Sequence, residues 1–283
     1  MANSLKRGLY LCIHNGSTQL PSLLFMFRIF LALLLLSSWL PGRAAGPVQA
    51  GTATAAPVTI AAAADLKYVL DSLVTIFNHQ HPQGRVTVVY GSSGKFYEQL
   101  SHGAPFDIFF SADGDYPLRL QRAGLTAGAP QLYAQGRLVL WSKKLDPSVK
   151  GMNSLLDPLV RHIAIANPAH APYGHRAEEA LRYYKLYDRV QPRLVLGENI
   201  GQAAQYASTG AADMGLLAYS LALSPELRRL GHFYLIPAAA HAPLQQRYVV
   251  LKRAQGNATA TAFATFMASP VTRQALQKYG FTL

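Results

Sequence analysis

The sequence predicts an α/β fold built on mostly parallel sheets that helices cover on both faces. Apolar runs rich in β-branched and small residues alternate with helical stretches through residues 58–283. Continuous apolar strands of this kind, each followed by a helix, are typical of parallel sheets. Three strand-to-helix junctions follow one another between Val58 and Asp113, with small or hydroxyl residues where each strand stops. Ligands of such sheets bind beyond the carboxyl ends of the strands, so this region is the first candidate for a site.

The elements are assigned from this alternation. The predicted strands are the β-type apolar runs Val58–Ala63, Val86–Tyr90, Ile108–Ser111, Arg137–Ser142, His162–Ala166, Arg193–Leu196, Met214–Leu217, Phe233–Ile236 and Arg247–Leu251. The predicted helices lie between or after these strands. One begins at Lys95, and another follows Ile108–Ser111 and continues through Ala123. The others are Leu66–Gln80, Arg176–Leu186, Gly201–Thr209, Ala258–Met267 and Pro270–Tyr279. No linker rich in Pro, Gly or Ser divides the chain after residue 50, which fits two lobes joined by strands that cross between them.

The first 50 residues are predicted to be removed from the mature protein. Arg28 precedes a short apolar segment, Ile29–Leu40, and small residues follow it as far as Ala50. A charged flank, a short apolar core and a small-residue exit are typical of a secretory signal peptide. The segment is shorter than the roughly 20 residues that a membrane-spanning helix needs. We therefore expect a soluble periplasmic protein after signal-peptide cleavage.

Two further expectations concern this N-terminal segment. Residues 1–25 are polar and mixed, so we expect translation to begin at Met26. The only cysteine, Cys12, also lies here, so the mature chain is expected to have neither a disulfide nor thiol chemistry. No cysteine stands at the expected processing site, and no lipid anchor is indicated.

The mature chain is moderately basic. The whole sequence has a formal net charge of +12, and residues 1–50 hold four of its basic residues and none of its acidic ones, which leaves about +8. A basic surface attracts anions, although the same charge also serves solubility. The lysines and arginines are scattered and no nucleic-acid-binding module is evident, so a nucleic-acid partner is not expected.

Gly91-Ser92-Ser93-Gly94-Lys95 is the richest local motif. Its glycines let the backbone approach a ligand, its hydroxyls can donate hydrogen bonds, and the helix start that follows favours an anion. The motif also fits an ordinary serine N-cap, and Ser92-x-x-Lys95 fits the nucleophile pattern of penicillin-recognising enzymes. The companion triplets of those enzymes are absent from the sequence, as are nucleotide-binding and zinc-protease motifs. Binding is therefore favoured over catalysis.

Two other motifs invite metal-binding interpretations. Asn167–His175 forms a fourth strand-to-helix junction, and its histidines are expected to lie on the surface or to support a ligand, because no acidic residue stands close by. Paired tyrosines bind ferric iron in some periplasmic proteins. Tyr183 and Tyr184 lie in a predicted helix, however, where one ring is expected to pack and the other to face solvent.

Several segments, in their order and spacing, resemble the periplasmic molybdate-binding proteins of ABC transporters. They are AAAADL, GSSGKFYEQL, GAPFDIFFSAD, ANPAHAPYGHRAEEAL and GENIGQA, and the resemblance continues to the C-terminus. The resemblance implies a two-lobed, type II-like periplasmic binding protein. Each lobe would be a mostly parallel sheet flanked by helices, and a dehydrated oxyanion would bind in the cleft between the lobes. Lobe I would comprise residues 51–136 and 247–283, and lobe II residues 137–246.

The resemblance also implies a function. The protein would be a monomeric, non-enzymatic carrier of molybdate or tungstate that delivers its ligand to an inner-membrane ABC permease. It would need no cofactor, and its only metal would be the molybdenum of the bound oxyanion.

The resemblance places the family's ligand positions on particular residues. In chain order these are Asp65, Ser93, Ala112, Tyr173, Ile200 and Ala218. The family's backbone N–H ligands would come from Ala112, Tyr173 and Ile200, and a serine hydroxyl from Ser93. The family's other serine is replaced by Asp65 and its tyrosine by Ala218. Ser92 and Tyr219 stand next to ligand positions and are the candidates to supply further hydroxyls.

Asp65 is the departure with the largest physical consequence. A carboxylate about 4 Å from a dianion is repelled by several kcal/mol at intermediate dielectric. Asp65 could cap its own helix, pair with Lys67 or Lys95, or be protonated when the anion is bound. We expect the first or the second arrangement, with the serines and backbone amides making most ligand contacts.

Other functions stay open at this point. Sulfate or another tetrahedral oxyanion is the alternative ligand within the same class, and pocket size would decide between the two. A secreted hydrolase that uses Ser92 and Lys95 and a ferric-ion carrier that uses tyrosines are the alternatives from other classes.

Overall fold

Two five-stranded mixed sheets organise the chain. The computed structural model describes residues 55–283, so the predicted signal peptide, Cys12 and Met26 lie outside the described residues. The strands are β1 (Val58–Ala63), β2 (Val86–Gly91), β3 (Ile108–Ser111), β4 (Gln131–Gly136), β5 (Leu138–Ser142), β6 (Ile163–Ala166), β7 (Leu194–Gly197), β8 (Met214–Ala218), β9 (His232–Leu235) and β10 (Leu244–Val250).

Helices cover these sheets. They are α1 (Lys67–Gln80), α2 (Ser93–Ser101), α3 (Asp115–Arg122), α4 (Pro172–Tyr183), α5 (Tyr187–Val190), α6 (Ile200–Thr209), α7 (Tyr219–Ala222), α8 (Pro225–Leu230), α9 (Ala258–Met267) and α10 (Pro270–Lys278). None of the helices in the described part of the chain has the length and apolar character to cross a membrane.

The two sheets share one pattern. The first has the strand order β2-β1-β3-β10-β4, in which β1 is parallel to β2 and β3 and β10 is antiparallel to both of its neighbours. The second has the order β7-β6-β8-β5-β9, in which β6 is parallel to β7 and β8 and β5 is antiparallel to both of its neighbours. Each sheet, with the helices on it, is one lobe of a two-lobed α/β binding-protein fold.

The chain crosses between the lobes twice. It leaves the first sheet at Gly136 and enters the second at Leu138, after one intervening residue. It returns between Leu235 and Leu244. No long linker is needed because each crossing is short, which explains why the sequence shows no division into domains.

Both faces of the first sheet are buried. Ile60 packs in a cluster with Phe77 and Phe263, whereas the next residue, Ala61, packs in a second cluster with Phe109. Successive residues of a strand point to opposite faces, so a sheet covered twice needs apolar residues at every position. The predicted fold class is confirmed, and this is the physical reason why β1 reads as a continuous apolar run.

Some secondary-structure elements were not predicted from the sequence. β4 was not predicted, because QLYAQG is half polar and three of its residues are at least partly exposed. The short helices α7 and α8 were also missed. β10 begins at Leu244 instead of Arg247, and this earlier start brings Gln246 into the strand.

Candidate functional site

The predicted ligand positions lie at the carboxyl ends of parallel strands in both lobes. Asp65, Ser93 and Ala112 follow β1, β2 and β3 of the first sheet, and their counterparts follow or end β6, β7 and β8 of the second. One apolar cluster joins the two edges. It includes Ala63, Ala64 and Ala112 from lobe I and Ala171, Tyr173, Ile200 and Ala218 from lobe II. The six predicted ligand positions and Ser92 are all buried.

The start of α6 reaches from lobe II to the loop after β1. Asn199 caps this helix, and its side-chain oxygen accepts a hydrogen bond from the Gln202 amide at 3.1 Å. A Cβ at Gly201 would lie 3.3 Å from the Cβ of Ala64, so the two lobes approach closely here. By helix geometry, the amide of Ile200 has no partner within its own helix and can donate to a ligand.

Ser93 and Ala112 contact each other directly. The Ala112 amide donates to Ser93 Oγ at 3.0 Å, in a fully buried hydrogen bond. A hydroxyl that accepts one hydrogen bond still has its own proton to donate. The contact therefore fixes Ser93 Oγ and leaves its proton for a further acceptor, while the Ala112 amide itself is already used.

Ser92 connects the lobes. Its hydroxyl donates to the carbonyl oxygen of His170 at 2.6 Å, and the Gly94 amide donates to the same oxygen at 2.9 Å. Nδ1 of His170 lies 3.0 Å from Ser92 Oγ. Ser92 precedes α2 but makes no side-chain capping hydrogen bond, so its hydroxyl is committed to the other lobe and the ordinary N-cap interpretation does not describe it.

Lys95 and Glu198 form an ion pair across the same interface. Lys95 lowers the pKa of Glu198 below its ordinary value, chiefly through their hydrogen bond. Both side chains are about half exposed, so the pair lies at the rim of the interface. Lys67 pairs instead with Asp71 on its own helix, at 3.1 Å.

Asp65 lies in a buried network of neutral partners. Its Oδ2 accepts from the Tyr173 hydroxyl at 3.0 Å and from Gln246 Nε2 at 2.6 Å. Gln246 is oriented in turn by Tyr133, whose hydroxyl donates to Gln246 Oε1 at 2.6 Å. The Ser220 hydroxyl donates to the backbone carbonyl of Asp65 at 2.7 Å. This network joins both lobes. Apart from Asp65 and Tyr173, no local motif distinguishes its members.

Two expectations for Asp65 are therefore wrong. It does not pair with a lysine, because Lys67 and Lys95 each have another carboxylate partner. It is not the N-cap of the short 3₁₀ helix Ala64–Leu66 either, because that position is Ala63. Tyr173 and Gln246 hold its carboxyl group instead.

Burial controls the titration of this group. Desolvation raises the pKa of Asp65 from 3.8 to about 6, although hydrogen bonds from Gln246 and Tyr173 oppose the shift. Burial and the nearby Asp65 charge raise the pKa values of Tyr133 and Tyr173 well above the usual range. Both tyrosines are thus neutral donors, and the carboxyl group is the member of this network that can change charge near neutral pH.

Tyr219 lies in a different environment from the one expected. Its ring packs against Phe233, with the ring centroids 5.3 Å apart, and lies beside Gly280. Ala218 ends β8 and is fully buried. The next residue, Ser220, provides the hydroxyl that meets Asp65, because α7 begins at Tyr219 and turns the chain.

The motifs with metal or catalytic interpretations have structural explanations. Tyr183 is 58% exposed while Tyr184 packs on the lobe II core, as predicted. His175 is exposed, also as predicted. No group of three or more His, Cys, Asp or Glu side chains within residues 55–283 is arranged to hold a metal ion. Ser92 and Lys95 bond to different partners in lobe II, so they do not form a nucleophile and base pair.

Comparison with known proteins agrees with this architecture. The family model for bacterial extracellular solute-binding proteins matches residues 58–282. The molybdate-binding protein ModA of Rhodobacter capsulatus is 37% identical over 69% of this chain and 77% of its own length. ModA of Azotobacter vinelandii is 33% identical over 82% of this chain and 92% of its own length.

Solved structures give the same result. The periplasmic molybdate-binding protein of Azotobacter vinelandii superposes with a TM-score of 0.74 at 33% identity, covering 80% of this chain and 99% of that one. The sulfate-binding protein SubI of Mycobacterium tuberculosis superposes with a TM-score of 0.65 over 80% of this chain and 86% of that one, but at 15% identity it shows only the shared fold. The resemblance inferred from the motifs is confirmed: the chain belongs to the bacterial extracellular solute-binding protein family.

Proposed function

We propose that this protein captures molybdate or tungstate in the periplasm and delivers it to an inner-membrane ABC permease. The observation that carries the proposal is the meeting of helix starts from both lobes at one buried place, where Ser93, Tyr173 and Ile200 lie in or beside a single cluster. The relatives of highest identity quoted above are molybdate-binding proteins. They are binding proteins by name, which supports a carrier in preference to an enzyme.

The chemistry of the site suits a tetrahedral oxyanion stripped of water. Such an anion needs several converging donors, and helix starts supply amides together with a favourable dipole. The Ser93 hydroxyl and the amides of Tyr173 and Ile200 are the proposed donors. The Ala112 amide acts through Ser93, to which it already donates. Neither a cofactor nor a resident metal has a part in this scheme.

Closure of the two lobes would accompany capture. Donors from both lobes can surround one anion only when the lobes are together, so the ligand favours the closed state. The bonds from Ser92 and Gly94 to His170, and the pair between Lys95 and Glu198, support that state. A monomer is sufficient, because each chain supplies both halves of the site.

Titration of the mature protein with molybdate, tungstate, sulfate and phosphate tests the proposal. A ligand present at about 100 times its Kd stabilises the folded state by about 2.7 kcal/mol, which calorimetry and thermal unfolding both detect. We expect molybdate and tungstate to stabilise far more than sulfate. Sulfate stabilisation equal to that of molybdate would favour the alternative tetrahedral anion.

Ser93→Ala tests the site itself. Loss of a hydrogen bond from a neutral hydroxyl to a charged ligand costs about 1.5–3 kcal/mol, a loss of about 10- to 150-fold in affinity. Ser101→Ala is the matched control, because Ser101 lies at the other end of α2 and its hydroxyl bonds only within the helix. Equal affinity for the two variants would contradict the proposed serine contact.

A further inference from the structure

One oxygen of Asp65 has no role in the folded network. Oδ2 accepts two hydrogen bonds, but Oδ1 is buried without a partner among residues 55–283. The residue is 1% exposed, so bulk solvent does not satisfy it. An unpaired buried acceptor destabilises a protein, and each such group calls for a specific explanation.

Among residues 55–283, no cation contacts this carboxyl group. The titratable residues near the carboxyl group on α4 and β4 are Tyr173 and Tyr133, and both are neutral. The cation of α1, Lys67, pairs with Asp71, and α6 carries no charged side chain. From α7 the neutral Ser220 hydroxyl contacts its backbone, and from β10 the neutral amide of Gln246 contacts its side chain. The only short contacts to the carboxyl group are thus with neutral donors.

Asp65 is also buried in the interface that holds the proposed anion donors. Tyr173 contributes its backbone amide to the proposed anion site, and its own hydroxyl holds Asp65 Oδ2 at 3.0 Å. A dianion and a carboxylate that share one water-poor interface repel each other, and loss of one charge removes the repulsion. The carboxyl group can do so by taking up a proton.

We propose that Asp65 binds the oxyanion as a neutral carboxylic acid, with its Oδ1–H donating to an oxygen of the anion. This inference rests on the proposed function. The proton comes from solvent, so capture of one dianion takes up one proton wherever Asp65 is ionised in the anion-free protein. Oδ2 keeps its bonds from Tyr173 and Gln246, which leaves Oδ1 as the oxygen that faces the ligand. The group that replaces the family's serine would thus still act as a hydroxyl donor.

A proton-coupled site has a defined pH dependence. When the acid form alone binds the anion, the affinity falls about tenfold for each pH unit above the carboxyl pKa. A site made only of serine hydroxyls and backbone amides has no such slope. The coupling therefore distinguishes Asp65 from the serine that the family has at this position.

Calorimetric titration with molybdate in two buffers of different ionisation enthalpy counts the protons directly. At about pH 7.5, where molybdate is a dianion, we expect the wild-type protein to take up about one proton per anion. Asp65→Asn and Asp65→Ser should take up none. His170→Gln is the control, because the His170 imidazole also lies at the interface and burial lowers its pKa, and this variant should retain the uptake.

The Asn variant gives a second readout. Its amide can donate as the neutral acid does, so we expect its affinity for molybdate to be independent of pH and, at about pH 8, at least tenfold higher than that of the wild type. No proton uptake by the wild type, or equal uptake by wild type and Asp65→Asn, would overturn the inference and leave the proposed function standing. A wild-type protein that binds molybdate at no pH would contradict the proposed function itself. If Asp65→Asn does not fold, the inference is tested by comparing the proton uptake of the wild type with that of Asp65→Ser.

Discussion

At the scale of single residues, the cost of keeping Asp65 buried should be measurable without any ligand. Its folded pKa of about 6 lies above the ordinary value of 3.8. A raised carboxyl pKa means that the folded state holds its proton more strongly than the unfolded state does. The associated stability is fully present below about pH 3.8 and is lost as the pH rises through about 6. Above that pH the anion-free protein carries a constant penalty.

Asp65→Asn removes this penalty. We expect the anion-free variant to exceed the wild type in free energy of unfolding by about 1–3 kcal/mol at pH 7, since one pKa unit corresponds to about 1.4 kcal/mol. The difference should shrink as the pH falls from 6 towards 4. Urea unfolding across this range measures it. A difference that does not vary with pH would show that burial of the charge is not its cause.

Tyr173→Phe should change the titration in a predictable direction. The Tyr173 hydroxyl donates to the charged form of Asp65 and holds its pKa down, so its loss should raise that pKa further. The pH at which molybdate affinity begins to fall should therefore move upward. Tyr184→Phe is the control, because burial and Tyr234 govern that hydroxyl elsewhere in lobe II. A midpoint that stays in place or moves downward would contradict the role given to Tyr173.

At the scale of elements, the start of α2 is one of the places where lobe I contacts lobe II. A Cβ at Gly94 would collide with the carbonyl oxygen of His170 and lie 2.9 Å from the Tyr116 hydroxyl. The backbone amide of Gly94 bonds to the same carbonyl. Glycine is needed here because the backbones of two lobes approach each other directly.

Gly94→Ala should thus weaken binding by opposing closure. Overpacking of about 1–3 kcal/mol corresponds to a loss of about 5- to 150-fold in molybdate affinity. Gly128→Ala is a matched control, since nothing lies within 4 Å of a Cβ at that position. Calorimetry gives the affinities, and small-angle scattering shows whether the anion-bound variant remains more extended. Equal affinities for the two variants would show that α2 does not close against His170.

Prediction from sequence succeeded for elements with strong local patterns and failed where tertiary contacts decide. β1 and β3 could be predicted because both of their faces are buried and all their positions except Thr59 and Ser111 are apolar. β4 is a half-polar edge strand, and it became a strand only through pairing with β10. Because β4 was not predicted, Tyr133 was not identified as part of the Asp65 network either. Motif spacing pointed to Ser93, but nothing in the run LQQRYVV marks Gln246 as a partner of Asp65.

At the scale of the whole molecule, Lys95 of lobe I and Glu198 of lobe II form an ion pair at the rim of the interface between the lobes. Its side chains are 49% and 45% exposed, and ion pairs so exposed contribute about 0–1 kcal/mol. We expect Lys95→Gln or Glu198→Gln alone to reduce molybdate affinity by less than about fivefold, and the double variant to lose no more than either single one. Additive losses would contradict a direct pairing.

A second pair provides the control. Lys150 and Asp157 lie together within lobe II, 3.7 Å apart. Because this pair does not cross the interface, its neutralisation should leave molybdate affinity at the wild-type value. A loss of affinity in Lys150→Gln would assign the effect of Lys95 to overall charge instead of the interlobe contact.

The position of β10 has a consequence for biosynthesis. This strand is the penultimate one in its sheet, between β3 and β4, yet it comes after all the other described strands along the chain. Every strand of lobe II precedes it, so that half can be finished while the other half still lacks an internal strand. A polypeptide that stops before Leu244 keeps all its anion-donor positions but leaves the edges of β3 and β4 unpaired. Completion of the first sheet therefore waits for β10.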